Sequence, residues 1–140
     1  MKRTQQNLPF LDTNVFLCHL HQNDPVQSAK ATEIFSNIEK GKLHVITSDF
    51  VILETVFTLQ RSYKVSKVDI ANAVLPLIEL SGIMLIGKKR YRRIFSLYTT
   101  TSLGFVDCYH VVFMKQRKLN KIISFDRGFD KVESLKRLEL

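Results

Sequence analysis

Short apolar runs alternate with helix-length segments along the whole chain, and this alternation restricts the fold more than any other feature. Segments 8–12, 43–47, 83–86 and 121–125 read as strands, and the tail to residue 140 holds material for a fifth. Helices are expected over 15–21, 24–40, 48–63, 66–80, 88–100 and 106–116. Asp24-Pro25 is an N-cap followed by proline at the first helical position, and Gly41 ends that helix. Ser66-Lys67-Val68-Asp69 has the capping-box pattern. Segment 48–63 is apolar on nearly every side and reads as a buried helix. Strands joined by helical crossovers must run parallel, with helices covering both faces of the sheet. The expectation is therefore an α/β chain with a central, mostly parallel sheet of four or five strands. One domain is expected over residues 1–140, with 1–7 as a flexible N-terminal tail.

Composition narrows the setting. Of 140 residues, 45% are hydrophobic and 24% charged, as in a globular domain able to bury one core. The longest apolar run, 74–78, is far short of the roughly 20 residues of a membrane span. Met1-Lys2-Arg3 is followed by polar Thr4-Gln5-Gln6-Asn7, where a signal peptide would carry its apolar stretch. Cys18 and Cys108 form no CxxC pair, which fits a reducing cytoplasm. Lys and Arg number 21 against 13 Asp and Glu, a net charge of +8. A stretch from Lys88 to Lys121 carries nine bases and only Asp107 as an acid, enough to account for the whole surplus. Such a field attracts polyanions, above all nucleic acid, although a solvated basic surface has the same composition. Lys89, Arg90, Arg92 and Arg93 read as solvated residues able to touch nucleic-acid phosphates without reading sequence.

Most of the carboxylates have an ordinary use: Asp24 and Asp69 cap helices, and Asp49 lies in a first turn near the positive end of a helix dipole. Four do not. Asp12 ends the run Pro9-Phe10-Leu11, and Asp126 ends Ile122-Ile123-Ser124-Phe125, so both fall at carboxyl ends of strands, where ligands gather in such sheets. Glu54 shares a helix stripe with Phe50 and Phe57, and Asp107 shares one with Val111 and Met114; both stripes are expected to face inward. Carboxylates buried together repel one another unless oxygen-preferring divalent cations join them, and Mg²⁺ or Mn²⁺ is the natural occupant. Taken singly, each acid also has a structural reading, as a turn residue, a helix N-terminal acid or the partner of Arg61. An acidic metal cup within a basic protein is the layout of a nuclease. His110 reads as a hydrogen-bonded core histidine, and the spacing of Cys18, His21, Cys108 and His110 fits no compact zinc knuckle.

The segments that carry these acids are Phe10-Leu11-Asp12-Thr13-Asn14, 48–54, Phe105-Val106-Asp107-Cys108 and Ile122-Ile123-Ser124-Phe125-Asp126-Arg127-Gly128-Phe129. In this order, with acids 42, 53 and 19 positions apart, they resemble the PIN-domain ribonucleases, most closely the VapC-type toxins of toxin–antitoxin pairs. The resemblance implies a three-layer α/β/α sandwich and Mg²⁺- or Mn²⁺-dependent hydrolysis of RNA phosphodiester bonds. It assigns Asp12, Glu54, Asp107 and Asp126 as the catalytic, metal-holding acids, with Asn14 and Ser124 supporting them. It also implies a small antitoxin partner and a homodimer, for which the third and fourth helices are the candidate interfaces. Relatives often carry Ser or Thr three residues before the third acid, where this chain has Gly104. Other readings are a PIN nuclease of RNA maturation, a PIN-like module that binds RNA or protein without cutting, and a phosphotransfer enzyme with Asp12 as nucleophile. The last lacks the second Asp expected two positions on, where Asn14 stands.

Overall fold

The computed structural model describes residues 7–140, so positions 1–6 of the expected tail lie outside the described residues. Backbone contacts group into two units, one reaching to Tyr91 and the other running Arg92–Leu140.

In the first unit Phe10 makes a single parallel bridge to Ile46. Helix α1, Thr13–Leu20, follows at once, and α2, Pro25–Glu39, starts where Asp24 and Pro25 direct it. Asp24 Oδ1 accepts from the N–H groups of Val26 (2.9 Å) and Gln27 (3.2 Å). Gly41 leaves the helix with φ +75°, which glycine adopts without steric cost. Strand β1, Val45–Ile46, leads into α3, Asp49–Arg61, capped by the Ser48 hydroxyl. Helix α4, Lys67–Ile78, is capped by Ser66 and precedes β2, Ile83–Met84. Strands β1 and β2 pair in parallel, Val45 with Ile83 and Ile46 with Met84. The chain thus has the α/β character expected of it, with parallel pairing in both two-stranded ladders among the described residues. Phe16, Ile38, Ile52, Val56, Ile70 and Val74 are almost fully enclosed between these elements.

Helix α5, Arg90–Thr100, begins at the end of the first unit and continues into the second. Its Arg90 and Tyr91 anchor to Asp49 of α3. Arg90 Nη2 donates to both Asp49 oxygens at 3.0 Å, and the Tyr91 hydroxyl donates to Oδ1 at 2.5 Å. Arg90 is therefore a packed, ion-paired residue and not the solvated one expected, whereas Lys89, Arg92 and Arg93 are exposed.

The second unit continues with α6, Phe105–Gln116, and β3, Lys121–Ile123. A 3-10 turn, Arg127–Lys131, and β4, Lys136–Leu138, complete it. Rings of Phe95, Tyr98 and Phe105 meet at centroid distances of 5.0 to 6.4 Å and tie α5 to α6. β3 and β4 pair in parallel from Lys121↔Lys136 to Ile123↔Leu138. The connection is about a dozen residues, the minimum for a parallel crossover, and carries the 3-10 turn where a full helix is usual. Among the described residues no helix is long and apolar enough to cross a membrane.

Candidate active site

Asp12 is held by its neighbours and left with its carboxylate unused. Leu11 N–H donates to Ile46 O at 2.8 Å, and the buried Thr47 hydroxyl donates to Leu11 O at 2.9 Å. The backbone is thereby fixed up to the residue before Asp12. Asp12 then takes N-cap geometry for α1 (φ −88°, ψ 164°), but its side chain makes no capping hydrogen bond. An N-cap aspartate that does not cap is free for another task. It lines a cavity of about 380 Å³ between α1 and α2 together with Asn14, Cys18, Gln27 and Lys30. Asn14 thus shares a wall with Asp12, and Lys30 is a cation there that sequence reading did not single out.

Glu54 corrects an expectation. Helix α3 buries Val51, Ile52, Thr55, Val56 and Leu59, so the stripe carrying Phe50, Glu54 and Phe57 faces outward. Phe50 is 82% exposed and Phe57 57%. The helix was expected to be buried on nearly every side; it has two apolar stripes, and the core takes the one richer in branched aliphatics. Arg61, the alternative partner for Glu54, lies instead over the Phe57 ring at 5.5 Å.

Asp107 stands in the first turn of α6, whose N-cap is Gly104. The anionic side chain there meets the positive end of the helix dipole. A Cβ placed on Gly104 would lie 3.9 Å from Asp107 Oδ2, so the carboxylate reaches back toward the helix start. Val111 and Met114 on its stripe are buried, and Asp107 itself is half-buried. Burial pushes its carboxyl above the usual range, the charge of Asp126 pushes it further, and His110 opposes both. His110 is exposed, not the core histidine expected, because α6 turns it away from the stripe of Cys108, Val111 and Val112.

Asp126 is oriented by backbone on both sides. Its N–H donates to Ser124 Oγ at 3.0 Å, and its Oδ1 accepts from Gly128 N–H at 2.8 Å at the head of the 3-10 turn. A Cβ on Gly128 would come within 3.0 Å of that oxygen and 3.2 Å of Leu103, so residue 128 must be small for the carboxylate to sit there. Arg137 of β4 braces the same segment. It donates to Ser124 O at 3.0 Å, to Asp130 at 2.8 Å and to Glu139. Arg137 holds the Asp130 carboxyl below its usual range. No sequence signal marks Arg137, because its partners lie on a different element.

The acids thus divide by partner. Asp49, Asp130 and Glu139 are ion-paired with arginine. Among the described residues no Lys or Arg pairs with Asp12, Glu54, Asp107 or Asp126. Asp12, Glu54 and Asp126 are exposed, so the desolvation argument for a metal applies to Asp107 alone. Among the described residues no group of three or more His, Cys, Asp or Glu side chains is drawn together tightly enough to hold a metal. The second unit nonetheless holds Asp107 and Asp126 within electrostatic reach of each other, and among the described residues neither is ion-paired with Lys or Arg. An all-oxygen pair of this kind suits Mg²⁺ or Mn²⁺, which commonly take one or two carboxylates and complete their shell with water and phosphate oxygens.

Residues 10–135 match the PIN domain family, a span that includes all four acids. A VapC ribonuclease from Aquifex aeolicus (strain VF5) is similar, 27% identical over 128 residues, covering 89% of this chain and 92% of that protein. The resemblance drawn from the four acid-bearing segments is borne out, and the chain belongs to the PIN-domain family.

Proposed function

We propose that this protein is a Mg²⁺- or Mn²⁺-dependent endoribonuclease and the toxin of a toxin–antitoxin pair. In this reading residues 1–140 form one PIN domain, and Asp12, Glu54, Asp107 and Asp126 serve a single hydrolytic reaction. The observation that carries it is the pair Asp107–Asp126: Asp126 lies close enough to push the half-buried Asp107 carboxyl further above its usual range, and neither acid is ion-paired with Lys or Arg among the described residues, in a chain of net charge +8. Carboxylates placed so are poor structural elements and good cation ligands. Likeness to a VapC ribonuclease supports RNA as the substrate.

When bound, a divalent ion supplies positive charge to the phosphoryl oxygens and lowers the pKa of water. The chain's own contribution is placement. Gly128 N–H and Ser124 fix Asp126, the first turn of α6 fixes Asp107, and Thr47 and Ile46 fix the backbone leading to Asp12. Asn14 supports Asp12, with which it shares a cavity wall. Exposed Lys89, Arg92 and Arg93 steer RNA by charge; Arg90, committed to Asp49, takes part only as the brace of α5. The outward Phe50 and Phe57 of α3 support a homodimer through that face, and a small antitoxin in the cytoplasm completes the system.

The test is cleavage of single-stranded RNA by the purified protein. Wild type is expected to cut with Mg²⁺ or Mn²⁺ and to stop in EDTA, and Asp12→Asn to lose more than about 100-fold. Undiminished cutting in EDTA would refute the metal role. Growth arrest on expression, relieved by a small protein encoded beside this one, tests the toxin assignment.

A further inference from the structure

The second unit contains a cavity that the acids do not explain. It encloses about 400 Å³, within the range of small-molecule sites, and lies between α5, α6 and the chain leading to β4. Its floor is aliphatic: Leu97, Val111, Val112 and Val132. Around it stand two cations, Arg93 and Lys115, and two hydroxyls, Ser96 and Ser134, all on exposed residues. Among the described residues neither Arg93 nor Lys115 forms an ion pair. An apolar floor under two unpaired cations is complementary to a ligand with a flat apolar body and anionic groups.

We propose that this cavity is a secondary RNA subsite, seating one nucleotide of a single strand away from the bond that is cut. Its choice of polyanion rests on the ribonuclease reading. The base lies on the aliphatic floor, where contact is indifferent to sequence, and the flanking phosphates meet Arg93 and Lys115. Phosphate contacts of this kind set register and orientation rather than specificity. Lys115 stands eight residues after Asp107 on α6, a rise of about 12 Å. At roughly 3.4 Å per nucleotide of a stacked strand, that is about three or four nucleotides. Short fragments held at Asp107 therefore fall short of the cavity, and longer strands reach it.

The experiment measures binding of fluorescein-labelled oligouridylates of about two and about twelve nucleotides by anisotropy, in EDTA, across a salt series. Working without metal separates binding from cleavage. For wild type the longer strand is expected to bind roughly tenfold more tightly. In Arg93→Gln/Lys115→Gln that advantage disappears, and the slope of log K against log salt falls by about 1.4, at roughly 0.7 per phosphate on a single strand. Neutralising Lys40 and Lys42 of the first unit serves as the control and should leave the advantage in place. Ser134→Trp, which fills the cavity and keeps both cations, should weaken the longer strand with the slope unchanged. The proposal is overturned if the charge variant keeps the advantage, or if Ser134→Trp binds both lengths like wild type, which would mean surface charge alone. Displacement of RNA from no site but capture of polyglutamate at Arg93 and Lys115 would also overturn it, in favour of an acidic peptide. Loss of cutting with the length effect retained would count against the ribonuclease reading and leave the subsite standing.

Discussion

At the scale of single residues, the carboxylates are told apart by what surrounds them. Burial works against the ionised form of Asp107. Its carboxyl titrates above the ordinary value of 3.8 because of burial first and Asp126 second. A group raised in the folded state stabilises most below its unfolded pKa, and that contribution is lost as pH rises through the folded value. At neutral pH without metal, ionised Asp107 therefore weakens the fold. Asp107→Asn should melt slightly higher than wild type in EDTA at pH 7 and no higher below about pH 4, while its RNA cleavage is abolished; a lower melting point at pH 7 would contradict this. His19 works in the opposite sense. It meets Thr32 Oγ1 at 2.9 Å, lies 4.7 Å from the Phe35 ring, and burial lowers its pKa below 6.5. Stability from neutral His19 is present above about pH 6.5 and lost as pH falls through its folded value. Thermal melts at pH 7.5 and 5.5 should show a larger acid loss for wild type than for His19→Gln.

Elements determine which of these residues sequence can place. Helix starts were legible because caps are local: Asp24, Ser48 and Ser66 each bind N–H groups two or three residues on. The sequence suggests strands of four or five residues, and they pair over two or three, since a ladder depends on a partner far along the chain. Asp12 and Asp126 were legible as ends of extended runs for the same local reason. Glu54 was not legible in its direction, because α3 offers apolar residues on two stripes and periodicity alone does not choose between Phe50–Phe57 and Ile52–Val56. Arg90 reads as a solvated base in the sequence because its partner, Asp49, lies 41 positions away. Arg137 shows the consequence for function. It joins β4 to the segment that orients Asp126, so Arg137→Met should lower cleavage roughly ten- to a hundredfold by displacing that carboxylate. Metal affinity should fall with it, while the first unit's pairing through Val45 and Ile83 is untouched. Wild-type rates in this variant would remove Arg137 from the account.

For the molecule as a whole, charge and exposed apolar surface have separate uses. In the proposed reading, the basic stretch on α5 and α6 draws RNA to a protein whose reacting groups are acids. Phe50 and Phe57 project from α3 beside Glu54, and the proposed reading makes this stripe the dimer surface. Phe50→Glu with Phe57→Lys should shift the protein from dimer to monomer in analytical ultracentrifugation, whereas a wild-type monomer at micromolar concentration would rule the dimer out. The central claim is that four carboxylates remote in sequence serve one divalent ion. Calorimetric titration of Mn²⁺ into the wild-type protein and into Asp12→Asn, Glu54→Gln, Asp107→Asn and Asp126→Asn tests it most directly. The account predicts saturable binding by wild type and weakening in every variant, by roughly ten- to a hundredfold or more. Binding that survives unchanged in any one of the four, with the variant folded, would contradict it.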